Sequence, residues 1–132
     1  MVENAAPRRS RLGRRALPLR RVRTAAGAVV CDRCEVADRY FARMRGLLGR
    51  KSLEPGGGML LTPEKSVHMF FMRFPIDVVF LDRGNKVVGV RHQLRPWHIA
   101  GARGAHAALE LPAGTAAAAE ITEGDVLVFE RR

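Results

Sequence analysis

A mostly β domain of the α+β class, with a compact barrel-like sheet of antiparallel and mixed strands and one main helix packed on it, follows from three features of this 132-residue chain. Short apolar runs recur between turn residues along most of its length, which is the pattern of strands joined by tight connections. Only one segment, around Tyr40 to Leu48, repeats its apolar residues at three and four positions. The run Ser66-Val-His-Met-Phe-Phe-Met-Arg-Phe-Pro-Ile-Asp-Val-Val-Phe-Leu-Asp82 carries large apolar residues on both parities, which predicts strands covered on both faces at the buried centre of the sheet.

The elements follow in chain order. Residues 1–18 read as a disordered basic tail without apolar periodicity, and 19–132 as one globular domain. Leu19 to Thr24 alternates, and Ala26-Gly27 turns the chain into a second strand from Ala28 to Val36. Asp38 suits a helix N-cap; Tyr40, Phe41, Met44, Leu47 and Leu48 then line one face, and Gly49 suits the C-terminal cap, so a helix is predicted over 39–48. Glu54-Pro-Gly-Gly-Gly58 reads as a flexible connection. Met59 to Leu61 is a short strand that ends at Pro63. Pro75 removes a donor and biases Phe74 away from the helical region, which divides the central run into strands Ser66–Met72 and Asp77–Leu81. The turn Asp82-Arg-Gly-Asn85 leads into a strand over 86–90. Residues 91–104 lose periodicity, His106 to Leu111 resumes it, a short helical turn spans the alanines to Glu120, and Val126 to Glu130 closes the sheet.

Composition bounds the function classes. A domain of this size buries roughly two-thirds of its unfolded surface, enough for a core without metal or disulfide staples. No run approaches the roughly 18 apolar residues of a membrane span. The net charge of +10 is concentrated at the start, where residues 1–28 hold eight arginines against Glu3 alone. Such an arm is either a solvated extension or a binder of nucleic acid through residues 8–23. Ala16-Leu-Pro-Leu19 is too short and interrupted for the apolar part of a signal peptide. A cytoplasmic protein with free thiols is therefore the expectation.

Cys31 and Cys34 have the spacing of half a zinc site or of a redox pair, yet no second pair or matching histidine spacing accompanies them. Regular strand alternation sends residues three apart to opposite faces. The two thiols thus read as inert, and no metal or other cofactor is expected. His68 alternates with Phe70 and Met72, as a neutral core histidine would, or as a base if a carboxylate such as Asp77 or Glu110 reaches it. Arg73 and Asp77 bracket the Phe74-Pro75-Ile76 bend, which an ion pair or backbone hydrogen bonds would hold. Trp97 caps the core or lines a groove. Glu110 falls on the parity opposite Leu109 and Leu111 and reads as facing water.

Four stretches occur in a fixed order: Arg45-Gly-Leu-Leu-Gly-Arg50, Gly58-Met59, the Ser66–Asp82 run, and Leu109-Glu-Leu-Pro-Ala-Gly114. Together they resemble the widespread prokaryotic family called domain of unknown function 192, over roughly residues 20–130. The resemblance implies a β-rich domain with a helix packed on it; it carries over no reaction, cofactor or catalytic set. Some relatives carry export signals. Gly84-Asn85 stands where many relatives have Asp-Gly, and suits a II′ turn. The cysteine pair is not part of the shared pattern.

The expected function is a non-enzymatic accessory or binding domain, with a groove near His68, Arg73, Asp77 and Trp97 for a small polar ligand or peptide. No catalytic residue is assigned. Two alternatives stand beside it: a small hydrolase-like enzyme using His68 with a carboxylate, and a nucleic-acid-associated protein acting through the arginine-rich arm.

Overall fold

The computed structural model describes residues 17–38, 50 and 52–132. Seven strands form one mixed sheet: β1 (Leu19–Thr24), β2 (Val29–Ala37), β3 (Gly57–Leu61), β5 (Ile76–Leu81), β6 (Val87–Leu94), β8 (Ala107–Pro112) and β9 (Leu127–Arg131). Their spatial order is β6-β5-β8-β3-β2-β1-β9. Only β2 and β3 pair in parallel; the other neighbours are antiparallel. A second, two-stranded ribbon joins β4 (Ser66–His68) to β7 (Ile99–Gly101). One short helix, α1 (Thr115–Ala118), lies between β8 and β9.

The large sheet curls until its two edges meet at one end. Lys86 bridges Val126, the Val87 amide donates to the Asp125 carbonyl at 2.7 Å, and the Leu127 amide donates to the Asn85 carbonyl at 3.0 Å. Strand alternation then divides the apolar residues into two layers. Val22, Val79, Leu81, Leu109, Leu111 and Leu127 pack inside the curl, closed at one end by Ala116 of α1 and by Ile121. Met59, Leu61, Ile76, Val78, Phe80 and Ala108 point outward, where Val67, Met69, Met72 and Ala100 of the ribbon and its turns cover them. The centre of the sheet is therefore buried on both faces, and every residue of β5 is buried.

The hairpins use left-handed residues. Gly27 takes φ 100° after β1, and its amide donates to the Thr24 carbonyl at 2.9 Å. Between β5 and β6 the left-handed residue is Asn85, at φ 65°, rather than Gly84. The expected II′ turn is thus replaced by a longer loop, in which Asp82 Oδ1 accepts the Gly84 amide at 2.8 Å and the Lys86 amide at 2.9 Å.

The central run behaves differently in its two halves. Its second half is the fully buried β5, as expected. Its first half ends as a strand at His68 and lies in the ribbon, not in the main sheet. Residues 91–104, expected to be irregular, contain the end of β6 and all of β7. The predicted helix over 39–48 and most of the predicted tail fall outside the described residues. Leu17, assigned to that tail, packs against the outer apolar layer, and the Pro18 carbonyl accepts the Val36 amide at 2.8 Å. Among the described residues, no helix is long and apolar enough to cross a membrane.

Candidate functional site

The ribbon gives the molecule its most unusual surface. In the pairing Ser66↔Gly101, Val67↔Ala100 and His68↔Ile99, the central pair points into the outer layer while His68 and Ile99 point to solvent. Gly89 of β6 lets the ribbon approach: a Cβ there would lie 2.9 Å from the Ala102 Cβ. Past His68, Met69 and Met72 dip into the core, with 1% and 9% exposure, and act as anchors.

Between those anchors Phe71 is forced outward, 72% exposed, with a left-handed backbone at φ 65°. Trp97 is 59% exposed, likewise left-handed at φ 70°. Bulky residues seldom adopt that region, which costs on the order of 1–3 kcal/mol per residue. Backbone bonds hold both turns together. The Trp97 amide donates to the Met69 carbonyl and the Met69 amide to the His98 carbonyl, each at 2.7 Å; the Met72 amide donates to the Met69 carbonyl at 3.2 Å.

The rings form a continuous series. His68 stacks on Phe70 with centroids 4.8 Å apart, Phe70 lies 5.9 Å from Trp97, and Trp97 lies 4.8 Å from Phe71. His68 is therefore not the core histidine its alternation predicts, because the strand that would have buried it stops there. Trp97 is not a lid on the core. Arg73 is exposed and makes no ion pair with Asp77.

Charge along the two segments that carry the rings has one sign. Residues 66–76 and 83–109 contain no Asp or Glu, while Arg73, Arg91, Arg95 and Arg103 are exposed. Among the described residues these four arginines form no ion pair, whereas Arg21, Arg23, Arg33, Arg50 and Arg132 each hold a carboxylate. At the other end of the ribbon, a groove of about 550 Å³ is lined by Lys65, Arg83, Arg103 and His106, with Asp82 as its acidic member.

Asp77 has a different task. It is fully buried; its Oδ1 accepts the Gln93 amide at 2.8 Å, and its Oδ2 accepts the Gly114 and Ala116 amides at 3.0 and 2.9 Å. Gly114 has no side chain with which to cap α1, so Asp77 does so across the sheet. Among the described residues, neither Asp77 nor Glu110 shares a hydrogen bond or ion pair with His68.

Glu110 does not face water. It is 6% exposed on the outer face of β8, opposite Val78 and Met59. Burial pushes its carboxyl up to about 8; the Glu64 charge adds to the rise and Arg50 counters it.

The cysteines need a second correction. Arg20 pairs with Cys34 and Val22 with Cys31, so Arg21 alone of β1 opposes both Asp32 and Arg33 of β2, and this bulge turns both thiols into the interior of the curl. Both are buried and reduced. Cys31 Sγ donates to the Gly56 carbonyl at 3.5 Å and Cys34 Sγ to the Glu35 carbonyl at 3.7 Å, and the influence of each thiol on the other holds Cys31 below the ordinary thiol range and Cys34 far above it. Among the described residues, no group of three or more His, Cys, Asp or Glu side chains gathers to hold a metal.

Comparison with known proteins agrees with this fold. The profile of domain of unknown function 192, described as "Uncharacterized ACR", matches residues 21–129. A UPF0127 protein of Thermococcus sibiricus is 34% identical over 109 residues, 79% of this chain and 70% of that one. The UPF0127 protein of Thermococcus kodakarensis is 32% identical, and the match covers 62% of its length. A crystal structure from Sinorhizobium meliloti, described as "a putative transcription regulator", superposes with TM-score 0.76 at 27% identity, covering 86% of this chain and 95% of that one. A Novosphingobium aromaticivorans protein of unknown function gives TM-score 0.72 at 26% identity, covering 86% and 84%.

Proposed function

Starting from the fact that the chain belongs to the domain of unknown function 192 family, we propose that it is a non-enzymatic binding module whose site is the aromatic face of the β4–β7 ribbon. Its ligand is a polar, anionic molecule or peptide that presents flat or apolar groups to the rings. One observation carries this reading: Phe71 and Trp97 are held outward on a left-handed backbone, beside arginines that no described carboxylate neutralises. A rigid ring surface loses little conformational freedom on binding, and unneutralised cations in the same segments select negative charge.

His68, Arg73 and Trp97 remain in the proposed site. Asp77 supports it from below, because the β6 bulge it holds at Gln93 leads directly into the turn that carries Trp97. The hydrolase-like reading draws no support from this arrangement, since His68 has no carboxylate partner among the described residues. The arginine arm is also smaller than its sequence suggests: Arg21 and Arg23 are strand residues paired with Asp32 and Glu130.

Trp97 is the chain's single tryptophan, so its fluorescence reports on the site directly. Titration with a set of polyanions and acidic peptides should shift that emission and raise the melting temperature, and Phe71→Ala should weaken both effects. Ligands that raise the melting temperature without touching Trp97 emission would place the site elsewhere.

A further inference from the structure

We infer that the ribbon binds single-stranded nucleic acid, with bases stacked on the exposed rings and phosphates on the flanking cations; this rests on the binding-module reading above and names its ligand. The repeating unit of such a strand is one flat ring and one negative charge. The surface offers the complementary pair: the ring series from His68 through Phe70 and Trp97 to Phe71, and the arginines interleaved with it in sequence.

The arrangement is also elongated. Rings occupy the end of the ribbon where β4 finishes and β7 begins, while Lys65, Arg83, Arg103 and His106 line the groove at the opposite end, just outside Ser66 and Gly101. A chain laid along the ribbon passes from a stacking surface to a groove whose charged lining is Lys65, Arg83 and Arg103 against the single acid Asp82. Stacking of this kind is tolerant of sequence, since every base has a π face, and the phosphate contacts make it sensitive to salt.

An acidic peptide supplies the charge but no flat ring at every unit. A lipid surface would be met by protruding aliphatic residues, and Ile99 is the one exposed aliphatic residue on the ribbon. A duplex hides the base faces that the exposed Phe71 and Trp97 rings would use. Single strands are the ligand for which both halves of the surface have a purpose.

The test uses the full chain, with a 12-nucleotide oligothymidylate as the probe. It should quench Trp97, and binding should weaken with rising salt. Phe71→Gly should weaken binding by about 10-fold, in line with the loss of one stacked base. Because glycine is at ease at φ 65°, that variant keeps or gains thermal stability, so lost binding cannot be ascribed to misfolding. A joint Arg91→Gln and Arg95→Gln variant should flatten the salt dependence.

Four results would overturn the inference. Equal affinity for a duplex of the same length would remove the stacking role. Oligonucleotide binding that leaves Trp97 and the Phe71→Gly variant unaffected would locate it on another surface, such as the arginine arm. Quenching by polyglutamate, inorganic polyphosphate or phosphatidylglycerol vesicles, but not by the oligonucleotide, would reject nucleic acid and leave the binding module standing. Silence of Trp97 toward every probe would remove both.

Discussion

The carboxylate of Asp77 accepts the backbone amide of Gln93 at 2.8 Å, a clasp that holds a left-handed residue, φ 50°, at the point where β6 bulges against β5. Ile76 pairs with Leu94 and Val78 with Arg91, so the bulge stands opposite Asp77 itself. The other carboxylate oxygen caps α1, and one buried side chain thereby ties together the sheet, the plug of its interior and the approach to the Trp97 turn.

Replacing Asp77 with alanine strands three amides at once, that of Ala116 buried and those of Gln93 and Gly114 partly so. At about 1–3 kcal/mol for each unmatched group, partly offset by entering water, the loss should be on the order of 3 kcal/mol or more in urea denaturation. Asp77→Asn keeps the shape and one acceptor and should lose less. Equal stability of Asp77→Ala and wild type would mean that the clasp does not operate in solution.

Phe71 offers the opposite experiment. Its side chain is largely in water, and its left-handed backbone is unfavourable for any residue with a Cβ. Phe71→Gly should therefore be stabilising by about 1 kcal/mol, less the backbone freedom glycine gains when unfolded. A clear destabilisation would show that the Phe71–Trp97 ring contact outweighs the backbone strain.

Glu110 makes stability depend on pH, and the sign follows from its direction of shift. Its carboxyl is raised from 4.5 to about 8 in the folded protein. Between those values the unfolded chain has released a proton that the folded chain still holds, so stability falls as pH rises through the window. The full effect is on the order of a few kcal/mol. Glu110→Gln should match wild type near pH 4 and exceed it progressively toward pH 8, with histidine contributions cancelling in the comparison. Parallel stability curves for the two proteins would refute the burial of this carboxyl.

Gly58 is required by close packing. A Cβ there would lie 2.8 Å from Cys31 Sγ, 3.0 Å from the Glu110 carbonyl oxygen and 3.2 Å from Leu111 Cδ2. Gly58→Ala should cost about 1–3 kcal/mol through overpacking, seen as a lower melting temperature. Both cysteines should resist a thiol reagent in the native protein and react together on unfolding, since both are completely buried.

Much of the architecture was legible from residues alone. Alternation and turn chemistry located β1, β2, β5, β8 and β9 to within a residue or two, because strand period and tight turns are local properties. The first site residues were partly legible too: His68 and Trp97 stood out by residue type, and the absence of acids over residues 83–109 could have been counted. Their neighbours Phe70 and Phe71 read as interior, because an apolar residue gives no sign of which side of a turn it will occupy.

Residue order along the chain settled the strands, the hairpins and the excess of cations beside the aromatic run. Long-range packing settled which polar and apolar groups meet water. Glu110 is buried on a strand flanked by β3 and β5, both remote from it in sequence, the two thiols share a face because β2 bulges against β1, and Phe71 is exposed because Met69 and Met72 anchor its turn. Each outcome depends on contacts between distant segments, and local periodicity contains no information about those.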